Sequence, residues 1–212
     1  MKLLQDMQIL ETLGRQGWVH LPNQKVEDCK NMLQSLGKII QETDVIVKPE
    51  SKAMITSPRA LDLHTDHHRA DYILWYCLQQ TSEGGDSLLL DMLPIYTQLA
   101  ENEQETLQTV MLMEHKVFPD DVEQFPLVRI EAGKPKFYYS FWLVKENILP
   151  TQKQALDNFR TCLQNALPTQ IRLEKGDILI VDNRRVLHGR TAITGSQDRF
   201  LKRFWIEKRP QN

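Results

Sequence analysis

The chain has 212 residues, 41% of them hydrophobic and 25% charged, with a net charge of −2. This is the composition of a soluble folded chain, enough for one substantial core, so a single domain over residues 1–212 is expected and intrinsic disorder is excluded. Scattered Lys and Arg with almost no net charge argue against nucleic acid as a partner, and no apolar run approaches the roughly 20 residues that span a membrane.

The amino terminus lacks the apolar core and small-residue cleavage site of a signal peptide. Cys29, Cys77 and Cys162 are an odd, widely spaced set without CxxC spacing, so neither a disulfide framework nor a zinc knuckle is indicated. A cytoplasmic location is the expectation.

In chain order, Leu3, Leu4, Met7, Leu10 and Leu13 recur at helical spacing, and Gly14 or Gly17 ends that helix before a strand at Trp18–Leu21. A second helix fits residues 25–40, with Val26, Cys29, Leu33, Leu36 and Ile40 on one face. The apolar, aromatic-rich run from Tyr72 to Leu78 reads as a buried strand, Gly84-Gly85-Asp86 as a turn, and Ser87 to Leu90 as another strand. Residues 93–113 look helical, 127–144 read as two strands around Gly133-Lys134-Pro135, and a helix follows from Thr151 to Leu167. Strands at Asp177–Val181, around Val186–His188 and at Arg199–Glu207 complete a mainly β chain. The expected fold is a double-sheet jelly roll with an N-terminal helical buttress.

His64-Thr65-Asp66 and the distant His188 supply two imidazoles and one carboxylate, the facial ligand set of non-haem Fe(II). On a strand, His64 and Asp66 would share a face. His68 continues that alternation, but on a straight strand it would lie about 13 Å from His64, whereas a ligand atom sits only about 2 Å from its metal. His188 is therefore the better third ligand. The competing reading places His64 and Asp66 in a polar surface loop and His188 in the core as a satisfied histidine.

In Asp198-Arg199-Phe-Leu-Lys-Arg203-Phe-Trp-Ile206, Arg199, Leu201 and Arg203 fall on one strand face. If that face is internal, the guanidinium groups need anions, and Arg is suited to bidentate carboxylate binding. The alternatives are a solvated edge strand or, for Arg203, pairing with Asp62 or Asp71. Ser87 follows the glycine turn as a hydroxyl donor at the start of its strand.

Taken together, His64-Thr-Asp66, Gly84-Gly-Asp-Ser87, Val181-Asp-Asn-Arg-Arg-Val-Leu-His188-Gly-Arg190 and Arg199-Phe-Leu-Lys-Arg203 resemble the Fe(II)/2-oxoglutarate-dependent dioxygenases of the taurine dioxygenase and clavaminate synthase superfamily. His67 to Leu78 is similar to the amino-acid hydroxylase branch, with a weaker echo in Leu13 to Leu21. The resemblance implies a double-stranded β-helix, with Fe(II) held by His64, Asp66 and His188. It also implies 2-oxoglutarate and O2 as co-substrates. Arg199 is expected on the distal carboxylate of 2-oxoglutarate, Ser87 on the same co-substrate, Arg203 on an anionic group of the substrate, and Arg190 behind the site. Related halogenases replace the carboxylate ligand, so Asp66 favours hydroxylation or desaturation of a small metabolite, an amino acid or a carrier-bound derivative. Two rivals are a non-catalytic jelly-roll binding protein and a redox-silent, cupin-like Zn protein.

Overall fold

The run Tyr72–Gln79 organises the molecule because both of its faces are apolar. Tyr72, Leu74 and Tyr76 pack on Ile9, Leu13, Cys29 and Leu33, whereas Ile73, Trp75 and Cys77 pack on Leu89, Val181 and Leu201. A strand buried on both sides must lie in the middle of three layers. Ile73 and Leu74 are fully buried on its opposite faces, each burial contributing about 1.5–3 kcal/mol.

The computed structural model describes residues 2–48, 50–51, 53–113, 117–121 and 123–209, and for residues 2–6 the backbone alone, so the Leu3 and Leu4 side chains lie outside the described set. In chain order the elements are α1 (Lys2–Gln16), β1 (Trp18–Leu21), α2 (Val26–Leu36), β2 (Gly37–Ile46), β3 (Leu61–His64), β4 (Tyr72–Gln79), β5 (Ser87–Asp91), α3 (Met92–Gln98) and α4 (Glu101–Leu107). Then come β6 (Val128–Glu131), β7 (Lys134–Phe137), a 3-10 turn at Phe141–Leu143, α5 (Pro150–Asn165), β8 (Thr169–Ile171), β9 (Ile178–Asp182), β10 (Val186–Arg190) and β11 (Phe200–Lys208).

One sheet has the order β1-β9-β4-β11-β2 and the other β3-β10-β5-β8, with β6-β7 as a separate hairpin. All the strand pairs are antiparallel. The inner faces of the two sheets meet around Trp75, Leu89, Leu179, Val186 and Leu201. The first sheet is backed by α1 and α2, and Leu90 and Leu187 of the second are covered by α3, α4 and α5 through Ile95, Leu107, Leu156 and Phe159. This is the jelly-roll arrangement, with helices on both outer faces and not at the N-terminus alone.

Two expectations need correction, and one strand was not foreseen. The helix expected over 25–40 stops at Leu36, and Gly37–Ile46 is a ten-residue strand on β11. A Cβ at Gly37 would lie 2.2 Å from the Glu207 carbonyl, so a glycine admits β2 beside β11; pairing to an existing sheet then outweighs helical periodicity. The helix over 93–113 is two short ones broken at Leu99 and Ala100, both extended. The short β8, mostly polar, gave no apolar alternation to read.

Candidate metal centre and the cavity beside it

β10 pairs with β3 so that His188 stands directly opposite His64, and the two imidazole centroids lie 4.5 Å apart. Asp66 arrives by a different route. β3 ends at His64 and the chain turns through residues 65–71, so strand alternation does not align His64 with Asp66 as expected. The turn is held by Asn183, which is fully buried. Its Oδ1 accepts the Asp66 N–H at 2.8 Å, and its Nδ2 donates to the Ala70 carbonyl at 2.8 Å. Thr65 fastens the other side: its N–H donates to the Tyr139 carbonyl at 2.7 Å and its Oγ1 accepts the Tyr139 N–H at 2.9 Å.

The result is three buried donors in one place. His64 Nε2 is 3.8 Å from Asp66 Oδ1, and His188 Nε2 is 3.6 Å from Asp66 Oδ2. Protein ligands sit about 2.0–2.2 Å from a bound ion, so donors at this separation can share one. His64 Nδ1 lies 2.8 Å from the Asp62 carbonyl. A carbonyl only accepts, so the proton sits on Nδ1 and the Nε2 lone pair is left for a metal. Burial, with His188 adding to it, lowers the His64 pKa to about 3, which keeps the ring in its neutral, ligating form.

Burial alone would raise the Asp66 carboxyl, but Arg203 and the two imidazoles outweigh it and hold the group well below the usual carboxylate range. Arg203 Nη1 donates to both carboxylate oxygens at 3.0 and 3.2 Å, and Trp205 Nε1 donates to Oδ2 at 2.7 Å. Arg203 therefore pairs with Asp66 and not with Asp62 or Asp71. Its Nε is buried without a partner among the described residues.

A second cluster lies next to the first. His67 Nε2 and His68 Nε2 stand 3.4 and 2.9 Å from Asp121 Oδ2. His68 is thus drawn to Asp121 by the turn, and the straight-strand reach argument does not describe it. The tautomer tells the clusters apart. The Arg69 N–H donates to His67 Nδ1 at 3.2 Å, which places the proton of neutral His67 on Nε2, the atom facing Asp121. Ligation through that atom would require displacing that proton.

From the His64–His188 pair a cavity runs between the sheets, walled by Val45, Leu89, Leu179 and Leu201 and reaching Ser87, Arg190 and Arg199. Arg199, Leu201 and Arg203 all line it, as one strand face should. Arg199 is buried and its Nε has no partner among the described residues. Burial, and then the nearby Arg190, lower its pKa to about 10, so it stays charged at neutral pH. Gly85 makes room for it: at φ +73°, a Cβ there would come within 3.2 Å of Arg199 Cδ. Arg190 is committed elsewhere, donating to the carbonyls of Ser57 and Arg59 at 2.6 and 2.7 Å. A buried cation without a counter-ion is costly unless an anion arrives.

Asn183 and Trp205 were not singled out from sequence. Trp205 follows Arg199, Leu201 and Arg203 at the next alternate position, so the strand pattern already placed it on that face. Asn183 had only its place in a turn to mark it.

The fold agrees with comparisons to known proteins. The model of the taurine catabolism dioxygenase TauD, TfdA family matches residues 3–205, and the chain belongs to that family. Among solved structures it is similar to asparagine oxygenase in complex with Fe(II), 2S,3S-3-hydroxyasparagine and succinate. The TM-score is 0.77 at 16% identity, over 97% of this chain and 79% of that one. It is also similar to the non-haem iron oxygenase OrfP in complex with Fe, succinate and (3S)-hydroxy-L-Arg, with TM-score 0.73 at 14% identity over 94% and 79%. A further OrfP structure, with Fe and alpha-ketoglutaric acid, matches with TM-score 0.67 at 17% identity over 84% and 63%.

Proposed function

We propose that the chain is an Fe(II)- and 2-oxoglutarate-dependent oxygenase that hydroxylates or desaturates a small amino-acid-like metabolite. The observation that carries this is the buried His64–Asp66–His188 donor set joined by one cavity to the buried Arg199, whose Nε has no partner among the described residues. Family membership supports the reaction type, and the amino-acid products bound to the two similar oxygenases support the substrate class. Fe(II), 2-oxoglutarate and O2 together would supply an oxidant strong enough for an unactivated carbon, with release of succinate and carbon dioxide.

The chain's own residues position and insulate. His64, Asp66 and His188 would hold the metal by one face, leaving the other positions for ligands. Arg199 receives the far carboxylate of 2-oxoglutarate, with Ser87 as a hydroxyl partner, at the end of an apolar corridor that excludes water. Arg203 spends Nη1 on Asp66 and keeps its Nε edge for an anionic group of the substrate. Trp205 and Arg203 fix the orientation of the Asp66 carboxylate.

Incubating the protein with Fe(II), ascorbate, 2-oxoglutarate and a panel of amino acids under air, with mass-spectrometric detection, tests the reading. A product heavier by one oxygen, or lighter by two hydrogens, with matching succinate supports it. Absence of succinate formation with every candidate and of 2-oxoglutarate binding refutes it.

A further inference from the structure

Between β4 and β5 the chain makes an irregular turn over residues 81–86. Its Gly85 is the seat of the Arg199 side chain: a Cβ there would lie 2.9 Å from Thr81 Cγ2, 3.2 Å from Arg199 Cδ and 3.3 Å from Arg199 Nε. With Arg199 Nε unpartnered among the described residues, the direction of the guanidinium depends on the walls against which its stem packs.

A turn without strand pairing needs other partners for its carbonyls, and one side chain supplies most of them. β8 pairs with β5 so that Ile171 faces Ser87, and the next residue, Arg172, comes up beside the turn. Its Nη2 donates to the Thr81 and Ser82 carbonyls at 2.6 and 3.3 Å, and its Nη1 to the Gly84 carbonyl and Asp86 Oδ1 at 3.2 and 3.1 Å. Gln170 Nε2 holds the other Asp86 oxygen at 2.7 Å. From the opposite side, the Gly85 N–H donates to the Ala192 carbonyl at 3.2 Å and the Asp86 N–H to Thr191 Oγ1 at 3.0 Å. A planar guanidinium can serve four spread acceptors at once, which a single ammonium cannot. Partly exposed, the Arg172–Asp86 ion pair adds little to stability; its consequence is geometric.

We propose that Arg172 is a positioning residue for the co-substrate: it clamps the turn over residues 81–86, holds Gly85 against Arg199 and so aims that guanidinium into the cavity. The proposal rests on the functional reading above and adds a residue outside the cavity on which co-substrate affinity depends.

Anaerobic titration of 2-oxoglutarate into Fe(II)-loaded protein tests it. Arg172→Gln should weaken binding about tenfold, the lower end of the loss expected when a charged hydrogen bond is removed outright, with Fe(II) affinity within about twofold. Arg172→Lys keeps the charge and loses the fork, so it should be impaired nearly as much. The decisive readout is a double-mutant cycle: in an Arg199→Ala background, Arg172→Gln should add less than about twofold. A merely structural role would lower the melting temperature and cost the same factor in both backgrounds, which overturns the proposal. Unchanged affinity in Arg172→Gln, full rescue by Arg172→Lys, or failure of both variants to fold overturns it as well. Wild-type protein that fails to bind 2-oxoglutarate removes the functional reading too.

Discussion

Two His–Asp clusters adjoin each other among the described residues, and they differ in what one histidine of each touches with its far ring nitrogen. In His64–Asp66–His188, the Asp62 carbonyl takes the His64 Nδ1 proton and leaves Nε2 facing Asp66 as a lone pair. In His67–His68–Asp121, the Arg69 N–H occupies His67 Nδ1 and turns a protonated Nε2 toward Asp121. The same residue types at similar donor spacing thus present a bare Nε2 on His64 and a protonated Nε2 on His67. The difference lies in what the far ring nitrogen touches. A parallel contrast runs along β11, where Arg203 is matched by Asp66 and Arg199 Nε has no partner among the described residues.

The largest effect should come from breaking the first cluster. His188→Ala is expected to weaken Fe(II) binding by more than about a hundredfold in anaerobic titration, since even an outer-sphere partner of a metal ligand is worth about 10–100-fold. His68→Ala in the same titration should leave affinity within about threefold; the reverse ranking would exchange the roles of the clusters. Next, Arg199→Ala removes a charge-assisted contact of about 1.5–3 kcal/mol, so 2-oxoglutarate affinity should fall about tenfold to a hundredfold with Fe(II) affinity unchanged. Equal loss of both would make Arg199 a structural cation.

Trp205→Phe deletes the 2.7 Å bond to Asp66 Oδ2 and keeps a smaller aromatic ring in its place, and Fe(II) should bind about tenfold more weakly. Full retention of affinity would show that Arg203 alone orients the carboxylate. Ser87→Ala should be mildest, about threefold on 2-oxoglutarate, the scale of one neutral hydrogen bond.

How much of this was legible in the sequence depends on the range of the interactions. The strands 18–21, 72–79 and 178–182 announced themselves because both or alternate faces are apolar. The clustering of His64, Asp66 and His188, and the burial of Arg199 beside them, could be anticipated because few chemistries want those residue types in that order. β2 was not, because Ile40 and Leu36 fit a helical stripe as well as a strand and the choice is made by β11, some 160 residues away. Asp66 was expected beside His64 for a reason the structure replaces: a turn tied to Asn183 brings it there, not strand alternation. The partnership of Arg203 with Asp66 was likewise invisible, since it depends on how β11 faces that turn.

The claim at the centre of this account is that one ion binds at the first cluster with 2-oxoglutarate directed toward Arg199. Anomalous scattering at the iron edge, from crystals grown without oxygen with Fe(II) and 2-oxoglutarate, measures it most directly. The account predicts one peak between His64 Nε2, the Asp66 carboxylate and His188 Nε2, with the far carboxylate of 2-oxoglutarate against Arg199. A peak between His67, His68 and Asp121, or 2-oxoglutarate bound away from Arg199, would contradict it.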